Sequence, residues 1–411
     1  MTRRSKVAAS LRVLLNALPV GTLSQDRNDG CEFRLLESYK QAYPRPVLGQ
    51  AFLDDLEQVQ RTRSRVPSWF SNLLPEGPLR ELVAQRAGVV PSREFFLLRH
   101  LGEDLPGAIR IVADPSEGES EETQAPGEKP SGQDSDSWHF SLAGVQLKFS
   151  ARRGERGLTI PVSGRGGDWI VKLPDSRYPR VPENEYATMR WAEASGIQIP
   201  ELALVDVADI AGLPDSIGRF HERRALAVRR FDRRADGGRI HMEDFAQILG
   251  LYPDEKYRKF NYETLAKVIW SLVGDEGLEQ YVLRLVFMVV SGNGDAHHKN
   301  WSLLYPDGIR AILSPAYDQV ATIPYKANDT LALNLATSKR WEAVNLESFR
   351  RMARRIGADE SQMVQRVQAA VDAIINVWNQ SGTQFGYDRE TREVLAMHMT
   401  RIPLVKGIAG S

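Results

Sequence analysis

Asp295, Asn300 and Asp318 are the residues of this 411-residue chain whose types and spacing could most clearly do chemistry. Asp295 lies in SGNGDAHHKNWSLLY, residues 291–305, just past the apolar run LRLVFMVV, and Asn300 follows five residues later. Asp318 ends the stretch SPAYD, one hairpin further on. An Asp and an Asn offer the hard oxygens that Mg²⁺ takes. A further carboxylate beside them could accept a hydroxyl proton. Phosphoryl transfer needs that division of labour: metal on the phosphate oxygens, a carboxylate on the attacking hydroxyl, and charge neutralisation around both. Lys299 is placed to neutralise the transferring phosphoryl. The bland alternative is a solvated loop whose Asp and Asn cap turns; the ordered return of Asn300 and Asp318 argues against it. His297 and His298 suggest a transition-metal site, but adjacent side chains point apart, and the sequence holds no HExxH pattern or cysteine cluster. His297 is expected to hold the loop by hydrogen bonds.

A nucleotide also needs a cation on its inner phosphates. Lys172 lies in the middle of the short apolar strand WIVKLP, and Glu183 and Glu185 open a helix eleven and thirteen residues on. A strand lysine paired with a helix glutamate is the arrangement that fixes the α- and β-phosphates in kinases. A lone strand lysine is more often a snorkelling edge residue; the order Lys, helix Glu, Asp, Asn, Asp favours the phosphate role. Glu185 is the weaker member, since Glu183 is a near neighbour and either could simply suit the helix N-terminus. SLAGVQLK, residues 141–148, stands where a phosphate-covering loop would, between two strands. It carries one glycine, Gly144, and as a Gly-rich motif it is poor.

The elements that would position these groups follow from periodicity and punctuation. Residues 11–40 read as short strands with a turn at Asn28-Asp29-Gly30, residue types that tolerate positive φ. Residues 51–64 and 75–100 read as helical. The stretch 114–137 carries eight acids and one lysine, with no aromatic and no aliphatic residue larger than alanine, so a solvated linker is expected there. Strands follow around 138–150, at GDWIVKLP, at ELALVDV and at ALAVRR, with the helix ENEYATMRWAEASG closed by Gly196. Helices are expected over 243–250, 261–273, 277–291, 346–356, 360–380 and 388–399. The strand pair around Asp307-Gly308 returns Asp318 toward Asn300. A small β-rich lobe thus precedes a larger helical one, and a cleft between lobes is where small ligands bind.

Composition sets the outer limits. Lys+Arg and Asp+Glu are equal at 53, which argues against a protein whose main task is coating nucleic acid. Cys31 is the sole cysteine, so no internal disulfide is possible; a reducing cytoplasm is expected, and Cys31 reads as a small buried hydrophobe. The basic start MTRRSKVAAS reads as a tail leading into a strand rather than a signal peptide. No run approaches a membrane span.

Taken in order, these motifs resemble the HipA family, the serine/threonine-kinase toxins of bacterial HipBA toxin–antitoxin modules, whose fold is related to phosphatidylinositol 3/4-kinases. Asn293-x-Asp295-x-His297-x-Lys299-Asn300 is similar to the family's catalytic loop, and Ser141-x-x-Gly144-x-Gln146-x-Lys148 to its phosphate-loop region. Lys172-Leu173-Pro174, Glu183-Asn184-Glu185, Arg230-Phe231-Asp232-Arg233, Tyr317-Asp318 and WFSNLLPEG fall in the family's order. The resemblance implies a two-lobed α+β fold. An N-terminal subdomain would occupy 1–113, the acidic linker 114–137, the ATP-lysine part of the kinase 138–235, and the helical lobe 236–411.

The resemblance further implies Asp295 and Lys299 as catalytic, and Asn300 and Asp318 as holders of Mg²⁺. ATP would meet Ser141, Ala143, Gly144, Val145, Gln146, Lys148, Lys172, Glu185, His297 and Asn300, with Val228 to Phe231, including Arg229 and Arg230, at the hinge near adenine. Ser141 stands at the family's autophosphorylated serine, whose modification ejects the phosphate loop and silences the kinase. The implied partners are a HipB-like DNA-binding antitoxin, operator DNA mainly through that antitoxin, and an aminoacyl-tRNA synthetase as substrate. A local basic patch such as RRMARR, residues 350–355, could add DNA contact. Two features depart from the family's pattern: the acidic linker and Leu147, where members often carry a polar residue. The alternatives are a small-molecule kinase of the same fold, an idle corepressor acting with its antitoxin, and a histidine-metal hydrolase, which lacks a third ligand at sensible spacing.

Overall fold

The computed structural model describes residues 7–114, 146–154, 157–160, 166–213, 217, 220–326 and 328–406. The first element is an antiparallel sheet of β1 (Val7–Leu15), β2 (Leu18–Asp26), β3 (Cys31–Leu35), β4 (Gln60–Thr62) and β5 (Ile109–Ala113), in the order β4-β3-β2-β1-β5. Alternation puts Leu11, Val13 and Leu15 on one buried face, as a period of two requires. That face packs on Phe33, Phe52, Trp69 and Phe70, whose rings meet in tilted and edge-on pairs. Cys31 is buried in this core, and burial pushes its thiol up to about 12.

Two of the expected helices come out differently. Residues 51–64 form a short 3₁₀ turn, Gln50–Phe52, and then β4, because pairing of Cys31 with Thr62 along β3 outweighs local helix preference. The 75–100 helix is two helices, Gly77–Ala87 and Glu94–Leu101. Gly88 ends the first at φ 65, and Pro91 follows.

The second sheet comprises β6 (Lys148–Gly154), β7 (Gly157–Thr159), β8 (Trp169–Lys172), β9 (Leu202–Asp206), β10 (Ile210–Ala211) and β11 (Arg224–Arg229), ordered β10-β7-β6-β8-β11-β9. β8, which ends in Lys172, is central, between β6 and β11. The helix Val181–Ala194 lies behind this sheet and sends Ala187, Trp191 and Ala192 into the core of the helical lobe.

That lobe is built on the helix Asp275–Ser291, whose last seven residues are all buried. Around it lie Tyr262–Leu272, Leu346–Ile356, Glu360–Ser381 and Arg389–Arg401, each started by an Asn or Asp side chain that accepts a backbone N–H in the first turn. A small sheet, β12 (His241–Asp244), β13 (Ser302–Tyr305) and β14 (Ile312–Leu313), completes it. Among the described residues no helix is long and apolar enough to cross a membrane.

The N-terminal subdomain is fastened to the rest through buried polar contacts. Glu243 of β12 accepts from the Gln50 backbone N–H (3.0 Å), the Trp69 indole (3.3 Å) and the Tyr305 hydroxyl. Asp104, just past the helix Glu94–Leu101, pairs with both Arg230 (3.2 Å) and Arg233 (3.1 Å).

Candidate active site

Lys172 ends the central strand β8 and is buried by its neighbours. Its ammonium donates both to Glu185, in the second turn of the helix Val181–Ala194, and to Asp318. The register of the helix decides between the two glutamates: Glu185 faces the sheet, whereas Glu183 turns to Arg180, 3.8 Å away. Burial alone would lower Lys172, but Asp318 and Glu185 outweigh it and hold the amine raised and charged. Burial would likewise raise Asp318, but the ammoniums of Lys172 and Lys148 hold it well below the usual carboxylate range. Glu185, deeper in, is pushed up by burial against the pull of Lys172.

The hairpin β13–β14 returns the chain as expected. Asp318 Oδ2 lies 3.5 Å from Asn300 Nδ2, and Asn300 Oδ1 is buried without a protein partner. Asp318 takes φ 53, a left-handed conformation rare outside glycine and asparagine, and strain of this kind collects at ligand sites. The loop beneath is fixed from below: Tyr317 donates to the Lys299 carbonyl (2.8 Å) and shares a hydrogen bond with Ser302 (2.6 Å). The Phe231 ring lies 5.5 Å from Tyr317.

Asp295 follows the left-handed Gly292 that ends the helix Asp275–Ser291. Asn293 Oδ1 accepts the Asp295 N–H (3.0 Å), and Thr322 accepts the Gly294 N–H (2.7 Å). A β-carbon at Gly294 would come within 2.6 Å of the Thr330 carbonyl, so glycine is required there. Asp295 is half-buried and accepts a 2.5 Å hydrogen bond from Tyr257. Burial raises its carboxyl, opposed by Tyr257 and Lys256. Tyr257 is a site residue that the sequence did not flag; nothing in GLYPDEKYRKF marks it, and tertiary folding alone brings it 38 positions to Asp295.

The fold gives several of the expected site residues protein partners. The Lys299 ammonium lies 3.0 Å from Glu76, 3.1 Å from the Asn72 carbonyl and 3.9 Å from Asp244. At the expected hinge, the Arg230 guanidinium is held by Asp232 (2.9 Å) and Asp104 in a buried network. Arg229 points to Glu201, 3.2 Å away at the surface. The His297 ring packs edge-on against Tyr257, with centroids 4.9 Å apart, and its Nδ1 has no hydrogen bond. Burial, with Lys256 adding, lowers it to about 3, so it is neutral.

Ser141, Ala143, Gly144 and Val145 lie outside the described residues, as does the acidic stretch beyond Asp114. The end of the loop is described. Gln146 donates to the Leu173 carbonyl (2.7 Å), and the Leu147 carbonyl accepts the Leu173 N–H (2.9 Å), beside Lys172. Leu147 packs on the apolar core of the second sheet, which accounts for an apolar residue there. Lys148 stands opposite Lys172 in the β6–β8 register. Three arginines of RRMARR (Arg351, Arg354 and Arg355) line a separate cavity of about 300 Å³ with Glu263 and Ala336.

The donor set suits Mg²⁺: two hard oxygen carriers side by side, one an ionised carboxylate and the other a buried amide oxygen lacking a partner. Among the described residues no group of three or more His, Cys, Asp or Glu stands together as a metal-holding cluster.

Comparison with known proteins identifies the family. A model of the HipA-like C-terminal domain matches residues 140–378, and one of the HipA N-terminal domain matches 11–112. The chain is 40% identical over 411 residues to "Putative kinase Y4dM" of Sinorhizobium fredii, covering 97% of this chain and 98% of that protein. It is 27% identical over 303 residues to the serine/threonine-protein kinase toxin HipA of Shewanella oneidensis, covering 64% and 65% of the two chains. Its fold matches a chain of the Shewanella oneidensis MR-1 complex of HipA, HipB and operator DNA at TM-score 0.70, with 21% identity and coverage of 98% and 99%. With both domains matched in sequence and the two-lobed α+β architecture shared over its length, the chain belongs to the HipA family.

Proposed function

We propose that this chain is an ATP- and Mg²⁺-dependent serine/threonine-protein kinase, the toxin of a HipBA-type module. The observation that carries the reading is the buried Lys172 joined to both Glu185 and Asp318, with Asp318 beside Asn300. Lys172 would neutralise the inner phosphates, and Glu185 would hold its ammonium at the strand end. Asn300 and Asp318 would hold the metal, which when bound supplies charge neutralisation on the phosphate oxygens. Asp295 would orient the substrate hydroxyl and take its proton as the oxygen attacks the γ-phosphorus and ADP leaves. Its burial-raised carboxyl is a better proton acceptor than a solvated one. The fixed loop supplies positioning, which is most of what phosphoryl transfer asks of a protein.

Ser141 would be the autophosphorylation site. A phosphoserine carries about −1.5 to −2 charges and cannot stay packed where ATP phosphates bind. The intracellular partners would be a HipB-like antitoxin, which carries most of the operator contact, and a translation component such as an aminoacyl-tRNA synthetase as substrate. The cytoplasm is the compartment in which these meet.

The test is intact-mass and phosphopeptide analysis after incubation with Mg·ATP, beside Asp295→Ala. The expected result is one added phosphate on Ser141 in the parent and none in the variant. If both proteins bind ATP yet neither gains phosphate, the reading gives way to a small-molecule kinase or a corepressor.

A further inference from the structure

The catalytic loop is held from a side that the kinase lobes do not supply. Glu76 belongs to the N-terminal subdomain, at the start of the helix Gly77–Ala87. One of its oxygens lies 3.0 Å from Lys299, between Asp295 and Asn300 in the loop, and the other 2.7 Å from Lys256. Lys256 in turn grips the loop through its backbone: its carbonyl accepts the His298 N–H (3.3 Å) and meets His298 Nδ1 at 2.6 Å. The next residue, Tyr257, donates to Asp295 and packs its ring against His297. Glu76 thus has one oxygen on the loop and the other on the segment that aims the Asp295 carboxylate. The two lysines offset the burial of Glu76 and hold it at about 2, ionised throughout the working range.

Adjacent pairs across the same interface do not have this reach. Arg65 and Asp254 join the subdomain to the helical lobe at 2.8 Å, but both are exposed and neither touches the loop. Exposed pairs of that kind contribute little, since water screens them. Glu76 is mostly enclosed and shared between two cations, so its loss would leave Lys299 and Lys256 short of their common counter-charge.

We propose that Glu76 is a positioning residue for phosphoryl transfer, acting through Lys299 and the Lys256–Tyr257 pair to hold Asp295 against the incoming hydroxyl. The N-terminal subdomain would then complete the active site rather than merely accompany it. The inference rests on the kinase reading above.

The experiment uses the full chain with Mg·ATP, measuring ADP release and phosphate gain by intact mass, with Tm alongside. Glu76→Gln is expected to lower kcat about 10–100-fold, the range seen when an orienting outer partner is lost, with KM for ATP within about threefold. Arg65→Ala, the control across the same interface, is expected to keep parental kcat. If Glu76→Gln does not fold, Lys256→Met carries the same test from the other side of the pair, with the same expected split. A Glu76→Gln or Lys256→Met protein that folds and keeps kcat within twofold of an active parent overturns the inference and leaves the kinase reading standing. A loss of kcat equal in Glu76→Gln and Arg65→Ala also overturns it, since docking alone would then explain the effect. A parent that neither turns over ATP nor gains phosphate overturns the kinase reading and the inference with it.

Discussion

Two of the buried ionic networks among the described residues are built to opposite specifications. Around Asp232 and Asp104, two carboxylates meet two guanidiniums, Arg230 and Arg233, and all four side chains are 6–8% exposed. The formal charge there is zero, and the acceptors are filled, including Asp232 Oδ2 by the Gly107 N–H at 2.8 Å. Around Lys172, two carboxylates share one ammonium, Asp318 remains 31% exposed, and the neighbouring Asn300 Oδ1 is unpaired. The first network is closed and neutral, which is how a buried ion cluster survives. The second is open on one side, with a part-exposed carboxylate held ionised by Lys172 and Lys148 beside an amide oxygen, which is how a site waits for a cation. Sequence alone reads both as Asp and Arg or Lys near strand ends; the difference between clamp and site lies in saturation.

That contrast yields graded expectations. Asp318→Asn should cut phosphate transfer at least as far as Asp295→Asn, for which loss of a positioned base predicts about 10²–10⁴-fold. Asp318→Asn should lower Tm less than Asp232→Asn does, because Lys172 keeps Glu185 as a partner and asparagine tolerates the φ of 53. A fall in Tm as large as that of Asp232→Asn would show that Asp318 belongs to the framework. Asp232→Asn should do the reverse: breaking a buried pair costs about 3–5 kcal/mol, read by urea denaturation, with the folded fraction still binding ATP. An Asp232→Asn protein as stable as the parent would dissolve the comparison.

A smaller effect is expected at His241, whose Nε2 meets the Leu48 carbonyl at 2.8 Å across the same subdomain boundary. Burial holds this imidazole down at about 4, against 6.5 when free. The folded pKa lies below the unfolded one, so the neutral ring's stability is complete above pH 6.5. It is lost as pH falls toward 4, to the extent of roughly 3 kcal/mol at 1.36 kcal/mol per unit. His241→Phe should flatten stability between pH 6.5 and 4, and an unchanged slope in chemical denaturation across that range would assign the acid sensitivity elsewhere. The least effect is expected from Arg354→Ala, whose partners Glu347 and Glu360 are exposed like itself; no measurable change in Tm is expected.

Much of the candidate site was legible because its members sit at fixed points of regular elements. Lys172 ends an apolar strand, and Asn300 and Asp318 bracket a hairpin with an Asp-Gly turn. Strand and hairpin periodicity carries such residues to predictable places. Lys299 was assigned by analogy of type, a cation near phosphates, and the fold brings it against Glu76 from a distant part of the chain. Tyr257 and Lys256 left no sequence signal, since no local pattern says which residue will fold against Asp295.

What the sequence by itself determined is the order of parts: a β-rich start, an acidic break, a strand lysine before a helix glutamate, and a polar loop after the most apolar helix. Those follow from local rules of period, capping and punctuation, which act over a few residues. The tertiary structure alone decided which charges are satisfied. Glu185 rather than Glu183 meets Lys172, Glu76 from a distant segment meets Lys299, and residues 60–62 pair with β3 as a strand rather than a helix. Each of these is settled by burial and by partners far along the chain, where the cost of an unpaired charge or an unpaired edge exceeds any local preference.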